Sequence, residues 1–269
     1  MLLNWVFTQL RYKRAHETAR QMINRWVEDN TQDKIKNLIQ PGILDALTRL
    51  VLVNAIYFKG NWASQFKASQ TKDASFFTSP GKSIQTPMMI QKQKFRYAEL
   101  KSLKILELPY AGNELSMLVL LPKEFDGLEQ LESVLSIEAL AQWNSCLNKR
   151  EVLVFLPRFK MTSQFRLDKT LVSMGMVDAF CDRKANFGGM DGRPNWLYIA
   201  AVIHKAFVEA NEEGTEAAAA TAVVMKELAL PAPSPLFRAD HPFLFLICEN
   251  QTGGILFMGR MSDPSKTGE

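Results

Sequence analysis

One run of nine residues, Leu50–Phe58, limits what this chain can fold into more than any other feature. Its letters, LVLVNAIYF, are nearly all β-branched, aromatic or otherwise apolar, and Lys59-Gly60 ends the run. Strands that are covered on both faces show such continuous apolar runs, whereas half-exposed strands alternate between apolar and polar residues. The run therefore predicts a strand in the middle of a sheet.

The rest of the chain predicts more strands than helices. A long helix is predicted over residues 17–38, where Pro41-Gly42 stops the helical period, and Ala111-Gly112-Asn113 predicts a hairpin turn. The other predicted strands are 82–90, 95–99, 104–109, 115–121, 151–159, 161–167, 197–210, 242–248 and 254–261, and the shorter helices are 128–135, 137–147 and 169–176. This order predicts an α+β fold of mostly antiparallel sheets, in a single domain over residues 1–269.

Composition excludes several classes of function. Thirty-two Lys and Arg against 28 Asp and Glu give a net charge of +4, and the basic residues are scattered, so no nucleic acid partner is expected. No apolar run is long enough to span a membrane, so no membrane partner is expected either. The three cysteines, Cys146, Cys181 and Cys248, form no paired motif, and common catalytic motifs are missing. We therefore expect no metal and no cofactor, and the missing motifs disfavour an enzyme without excluding one.

The segment 212–235, EEGTEAAAATAVVMKELALPAPSP, allows two structures. Helix propensity favours an Ala-rich surface helix that ends at Pro231. Alternation favours an exposed loop or an inserted strand, because Glu216 and Lys226 would share the outward face. The opposite face would then carry only uncharged residues, namely Thr215, Ala217, Ala219, Thr221, Val223 and Met225. We predict that residues 216–226 form an exposed loop, or a strand between the strands 50–58 and 197–210, and not a buried helix.

Three motifs, in the right order along the chain, resemble the serpin family. Residues 52–62, LVNAIYFKGNW, are similar to the family's central strand and the residues after it. Residues 206–222, AFVEANEEGTEAAAATA, resemble the hinge of the reactive-centre loop, and the stretches 240–245 and 255–261 resemble the C-terminal strands. The resemblance covers the chain from about residue 15 to residue 264.

The resemblance implies a serine-type endopeptidase inhibitor that acts as a suicide substrate. A target serine protease cleaves the exposed loop, becomes covalently attached to it, and is trapped when the loop inserts into the large sheet. The inhibitor is expected to be a monomer. Two alternatives remain open, namely a non-inhibitory serpin with a carrier, chaperone or storage role, and an inactive fragment. Chains of this family are usually longer, and the unmatched part is expected to be N-terminal helices and strands.

The resemblance also assigns roles to residues of the loop, which is expected at about 212–237. The reactive bond is expected between Leu228 and Ala229, although it could lie elsewhere within 226–231. A leucine at this position suits the apolar primary pockets of chymotrypsin-like and elastase-like proteases. The hinge residues are Glu212, Glu213, Gly214, Thr215, Glu216, Ala217, Ala218, Ala219, Ala220 and Thr221.

Three further residues match positions behind and above the gap that the loop enters. Asn54 and His204 match the shutter pair, whose hydrogen bond is expected to hold two strands together. Trp62 matches the tryptophan of the breach, where insertion starts. The serine that usually accompanies the shutter pair belongs to the expected N-terminal part. The resemblance implies an extracellular location, and the cytoplasm is the alternative because basic residues follow the apolar ones at the N-terminus, unlike in a signal peptide.

Overall fold

A computed structural model gives the structure of residues 12–193, 196–213 and 234–266. These residues form five α-helices and eleven strands, with 3-10 turns at Ala68–Gln70 and Asp178–Phe180. The helices are α1 Tyr12–Asn30, α2 Leu128–Val134, α3 Ile137–Ser145, α4 Asp168–Ser173 and α5 Gly188–Asp191. The strands are β1 Leu50–Phe58, β2 Lys72–Ser79, β3 Lys82–Glu99, β4 Leu103–Pro109, β5 Leu115–Pro122, β6 Asn148–Pro157, β7 Phe159–Arg166, β8 Ile199–Ala210, β9 Leu236–Arg238, β10 Phe243–Glu249 and β11 Ile255–Met261. This is the α+β fold that the sequence predicts.

Helix α1 ends eight residues before the predicted boundary at residue 38. Gln32 and Asp33 have φ angles of 50° and 58°, in the left-handed region, where a right-handed helix cannot continue. The hydroxyl of Thr31 donates a hydrogen bond to the carbonyl of Val27 at 2.7 Å and closes the last turn. Leu38 keeps the apolar period of the helix but lies in the segment after it, where it is fully buried.

Residues 12–58 and 161–208 belong to one compact unit, which contains a three-stranded sheet in the order β1-β8-β7. Helix α1 and the segment after it cover one face of this sheet. The core on that face consists of Val27, Ile35, Leu38, Ile39, Leu44, Ala201, Ile203 and Phe207. The prediction that β1 lies in the middle of a sheet is wrong for the described residues, because there β1 pairs with β8 alone. Eight of its nine residues are accordingly only half-buried.

Residues 59–160 and 209–266 belong to the second compact unit, whose sheet has eight strands. Seven strands follow the order β11-β10-β5-β4-β3-β6-β9, and β2 pairs with β3. All the pairs are antiparallel except β6 with β9. Gly112 and Asn113, with φ angles of 85° and 56°, form the predicted hairpin turn between β4 and β5. The boundary between the two units falls within β7 and within β8, so a single domain remains our proposal.

Candidate functional site

Strands β1 and β8, between which the sequence predicts insertion, pair directly with each other. They are parallel and form nine residue pairs from Leu50–Ile199 to Phe58–Val208. Asn54 and His204 are one of these pairs, so the two predicted shutter residues lie opposite each other in the ladder. No side-chain hydrogen bond joins them within the described part of the chain, and the bond expected there stays a prediction.

The two faces of the β1–β8 ladder differ in chemistry. Val51, Val53, Ala55 and Tyr57 pack against the core under α1. Because successive side chains of a strand point to opposite faces, Asn54 lies on the other face, within an otherwise apolar row. The row consists of Leu50, Leu52, Asn54, Ile56 and Phe58. Asn54 is the one position in this row where a side chain can hold or release a neighbour by hydrogen bonding.

His204 is half-buried, and its environment favours the neutral form of its ring. The ring stacks on that of Phe165, with centroids 6.3 Å apart and an interplanar angle of 23°. Burial lowers the pKa of His204 below its ordinary value of 6.5, because a charged imidazole loses hydration there. A neutral imidazole carries one donor and one acceptor, so His204 has the chemistry needed to exchange hydrogen bonds with an amide such as that of Asn54.

Trp62, the predicted breach residue, fixes the chain just before the predicted hinge. Its indole Nε1 donates a hydrogen bond of 2.8 Å to the carbonyl oxygen of Asn211. The indole stacks on the ring of Tyr110, with centroids 4.6 Å apart and planes 11° apart, and only 4 % of Trp62 is exposed. Through Trp62, Asn211, the residue before the hinge, is therefore held next to Tyr110 at the end of β4.

Glu212, the first predicted hinge residue, is also anchored. It is 8 % exposed, and its carbonyl accepts a hydrogen bond of 3.0 Å from the amide of Phe66. Its carboxylate lies 3.7 Å from the guanidinium of Arg158, and the neighbouring Glu209 lies 3.3 Å from the ammonium of Lys160. Sequence reasoning missed Arg158 and Lys160, because nothing in the local pattern links them to residues about fifty positions away.

The distal end of the loop is anchored in the same unit. The hydroxyl of Ser234 donates to the carboxylate of Glu151 at 2.9 Å, and the carbonyl of Pro235 accepts from the amide of Leu153 at 3.0 Å. Leu236–Arg238 then forms β9, so the predicted loop extends two residues too far at its C-terminal end. The reason is that Phe237 is fully buried and pairs with Val154.

Most predicted loop residues lie outside the described residues. These are Gly214, Thr215, Glu216, Ala217, Ala218, Ala219, Ala220, Thr221, Leu228 and Ala229, together with the segment 216–226. They belong to the twenty residues, 214–233, that connect the two anchors. An extended segment of this length spans about 66 Å, which is more than twice the length of the nine-residue ladder of β1 and β8.

A buried polar cluster holds the chain between β9 and β10. The Nδ1 of His241 lies 2.9 Å from one carboxylate oxygen of Asp240, and its Nε2 lies 2.8 Å from the carbonyl of Pro122. Arg238 donates to the other carboxylate oxygen at 2.9 Å. Burial alone would raise the pKa of Asp240, but the hydrogen bonds and charges of His241 and Arg238 outweigh it, and the net pKa is lowered. The cluster therefore fixes the start of β10 to the end of β5.

Residues 12–193, 196–213 and 234–266 contain no group of three or more His, Cys, Asp or Glu side chains placed to hold a metal ion. Within the same ranges, no helix is both long and apolar enough to cross a membrane. Cys146, Cys181 and Cys248 are all free thiols and partly buried.

Comparison with known proteins supports the resemblance over nearly the whole chain. The family model described as "Serpin (serine protease inhibitor)" matches residues 2–264. Human Serpin B4 is 48 % identical over 94 % of this chain, and the leukocyte elastase inhibitor of Equus caballus is 46 % identical over 94 %. Uncleaved ovalbumin has a similar structure, with a TM-score of 0.85, 40 % identity and 95 % of this chain covered.

The lengths of these proteins differ from that of the chain. The chain spans 65 % of Serpin B4, 68 % of the horse inhibitor and 65 % of ovalbumin, which is about two thirds of each. Native protease nexin-1, solved with heparin, gives a TM-score of 0.80 at 37 % identity, covering 92 % of this chain and 65 % of that one. The family description names an inhibitor, which agrees with the expectation that the chain is not an enzyme.

Proposed function

Because this chain belongs to the serpin family, we propose that it inhibits serine-type endopeptidases as a suicide substrate, with chymotrypsin-like or elastase-like targets. The observation that carries the proposal is the segment 214–233. It is anchored at Glu212 and Ser234, and it begins with alternate residues that are all uncharged. The name of one relative, leukocyte elastase inhibitor, supports the proposed class of target.

The proposed reaction begins as ordinary proteolysis. The serine hydroxyl of the protease attacks the carbonyl carbon of Leu228, the Leu228–Ala229 peptide bond breaks, and the Ala229 amine leaves with a proton. An ester then joins the protease to Leu228. Cleavage frees the segment from its distal anchor, so that Thr215 and the alternate residues after it enter between β1 and β8. Gly214 supplies the backbone freedom for this turn.

Asn54, His204 and Trp62 are positioning residues in this proposal. Asn54 and His204 are opposite each other in the ladder that has to open, so we expect their side chains to change hydrogen-bond partners when it opens. Trp62 and the Glu212–Arg158 pair fix the point from which the segment swings. A fixed pivot directs the free segment to one entry point.

Covalent complex formation and a monomeric state also belong to this proposal. The chain spans about two thirds of its relatives' length, so inhibition by this chain has to be measured on it directly. A non-inhibitory serpin, or an inactive fragment, would be cleaved in the loop without trapping the protease. For the location we propose the cytoplasm rather than the extracellular space, because Cys146, Cys181 and Cys248 are free thiols, which reducing compartments preserve.

The test is incubation with chymotrypsin or elastase, followed by a denaturing gel. We expect a band at the summed mass of protease and the N-terminal part of the inhibitor, because the ester survives denaturation. Protease with a blocked active-site serine is the control and should give no such band. Cleavage of the loop at a bond within residues 226–231, with no covalent complex on the gel, would contradict inhibition.

Replacement of Leu228 by arginine tests the reactive bond. The guanidinium that Leu228→Arg introduces would pair with the acidic residue in the pocket of trypsin-like proteases, so reactivity should move to trypsin by at least about tenfold in rate. The control is Leu230→Arg, which should shift reactivity far less. Unchanged reaction of Leu228→Arg with chymotrypsin would show that the bond lies elsewhere in the loop.

A further inference from the structure

Four basic side chains lie on one face of β3 and β6, and we call Lys92, Lys94, Arg96 and Lys149 the basic strip. Lys92, Lys94 and Arg96 occupy alternate positions of β3, so their side chains share a face. Lys149 of β6 is directly opposite Arg96 in the antiparallel ladder, and directly opposite residues also share a face. Lys92, Lys94 and Lys149 are exposed, and Arg96 is partly so.

The basic strip carries more positive charge than its neighbours neutralise. Glu107 accepts a hydrogen bond from the guanidinium of Arg96, and Glu151 forms an ion pair of 2.7 Å with Lys92. Glu151 is also opposite Lys94, so one carboxylate serves two lysines. Four positive charges therefore meet two negative ones, an excess equal to half of the formal net charge of the whole chain.

The basic strip adjoins the distal anchor of the loop. Glu151, which pairs with Lys92, accepts the hydrogen bond from the hydroxyl of Ser234. Ser234 follows Leu228 by six residues, which reach at most about 20 Å even when fully extended. A protein domain of about 200 residues has a radius of gyration of about 16 Å, so a protease seated on Leu228 extends over a distance comparable to this reach.

We propose that the basic strip is an accessory docking surface, which contacts an acidic patch on the target protease and accelerates its association with the loop. This inference rests on the proposed function and adds a criterion for the target, namely surface charge besides pocket shape. Opposite charges around a binding site raise the association rate by roughly 10- to 1000-fold at low salt. A protein partner fits better than an anionic polysaccharide, because Glu107 and Glu151 interrupt the positive row and a uniform polyanion would meet both carboxylates.

The experiment compares two charge-reversal variants of equal net charge. Lys94→Glu/Lys149→Glu turns the excess of two positive charges in the basic strip into an excess of two negative ones, and Lys72→Glu/Lys82→Glu makes the same change at exposed lysines of β2 and β3 outside it. Each is mixed with two chymotrypsin-like proteases of the same pocket preference, one with an acidic and one with a basic isoelectric point. The readout is the second-order rate constant of loop cleavage, measured in low salt and in about 1 M salt.

We expect the strip variant to lose about tenfold in rate with the acidic protease at low salt, and to lose little in 1 M salt, where the Debye length is about 3 Å. The control variant should change by less than about twofold, and the basic protease should cleave the strip variant at least as fast as the parent. Equal losses in both variants, or a loss that persists at high salt, would overturn the proposal. So would a loss of binding to heparin with no change in either protease rate.

The design separates this inference from the proposed function. Loop cleavage gives a rate whether or not a covalent complex follows, so a parent that is cleaved without trapping refutes inhibition and still tests the strip. A synthetic peptide of residues 214–233 lacks the strip and should be cleaved at a rate that is independent of protease charge. Binding of protease with a blocked active-site serine provides a second readout, and an unchanged affinity of the strip variant for the acidic protease would also overturn the proposal.

Discussion

Two strands, β1 of the first compact unit and β5 of the second, differ in how deeply their side chains are buried. In β1 of the first unit, one residue of nine is buried, whereas six of eight are buried in β5 of the second unit. β1 pairs with β8 alone among the described strands, and β5 pairs with both β4 and β10. The ladder that is proposed to open thus has one weakly buried strand, β1, although eight of the twelve residues of its other strand, β8, are buried.

This difference has an energetic meaning for loop insertion. Separating β1 from β8 breaks one ladder, and a strand that enters between them forms two, one on each of its edges. Each backbone hydrogen bond contributes about 1 kcal/mol net, so the second ladder favours the inserted state. A loosely packed β1 keeps the cost of separation low. In the second unit, by contrast, the anchors at Glu212 and Ser234 must stay in place while the ladder opens.

The largest expected effect comes from a matched pair of leucines. Leu120→Ala in β5 removes a fully buried side chain from a dense core and should cost about 2–5 kcal/mol of unfolding free energy. Leu52→Ala in β1 removes a half-buried side chain and should cost about 1 kcal/mol, because less apolar area returns to water. Hydrogen exchange of β5 and β1 amides, combined with urea unfolding, measures both. Equal losses would break the comparison between the units.

A smaller loss of stability is expected when a methyl group is added at Gly259, where β11 packs closely against β10 in the second unit. A Cβ atom at Gly259 would lie 2.3 Å from the ring of Phe245, so Gly259→Ala should destabilise the protein by about 1–3 kcal/mol through overpacking. Gly189→Ala is the control, because its Cβ would meet no atom within 4 Å and alanine favours the helix in which Gly189 lies. If Gly259→Ala were neutral, the packing of β10 against β11 would be looser than described.

The smallest effect is a difference in acid sensitivity between the two units. The lowered pKa of His204 means that the unfolded chain takes up a proton first, so stability of the β1–β8 ladder is lost as the pH falls below about 6.5. Because the pKa of Asp240 is lowered, its ionised carboxylate stabilises the second unit above about pH 3.8, and that contribution is lost only below this pH. The protection factors of the β8 amides, which compare exchange with its intrinsic rate, should therefore fall between about pH 7.5 and 5, whereas those of β10 should not.

His204→Gln is the control for this pH dependence. Glutamine does not titrate, so the pH dependence of the β8 protection factors should disappear in this variant. A parent protein whose β8 and β10 amides respond alike to acid would show that burial of His204 does not govern the ladder.

Local patterns predicted most elements, and they failed where structure depends on contacts distant in sequence. β1 has its predicted bounds, because its apolar run ends sharply at Lys59-Gly60. β3 was predicted as two strands, because the polar residues 91–94 interrupt its apolar pattern, yet pairing with β6 carries the strand through them. β2 was missed because KDASFFTS contains only two large apolar residues, and its pairing with β3 is what makes it a strand.

For the candidate site too, the sequence predicted which residues matter but not how they are arranged. Asn54, His204 and Trp62 could be named from sequence because they lie in recognisable motifs. Their geometry could not, since the register of two strands about 150 residues apart sets the Asn54–His204 pair. Arg158, which lies beside Glu212, carries no local signal at all, because only the fold brings it to the start of the hinge.

The central claim, that the segment after Gly214 enters the β1–β8 ladder with alternate residues facing inward, is tested most directly by two arginine substitutions. Thr215→Arg would bring a charge into the sheet interior, which costs several kcal/mol without a partner. A barrier raised by about 3 kcal/mol slows insertion more than a hundredfold, so hydrolysis of the ester should win. Glu216→Arg puts the same side chain on the outward face and should be far milder. The measurement is the ratio of covalent complex to cleaved inhibitor for both variants, with chymotrypsin. We predict almost no complex for Thr215→Arg and a nearly parental ratio for Glu216→Arg; equal ratios for the two variants would contradict the account.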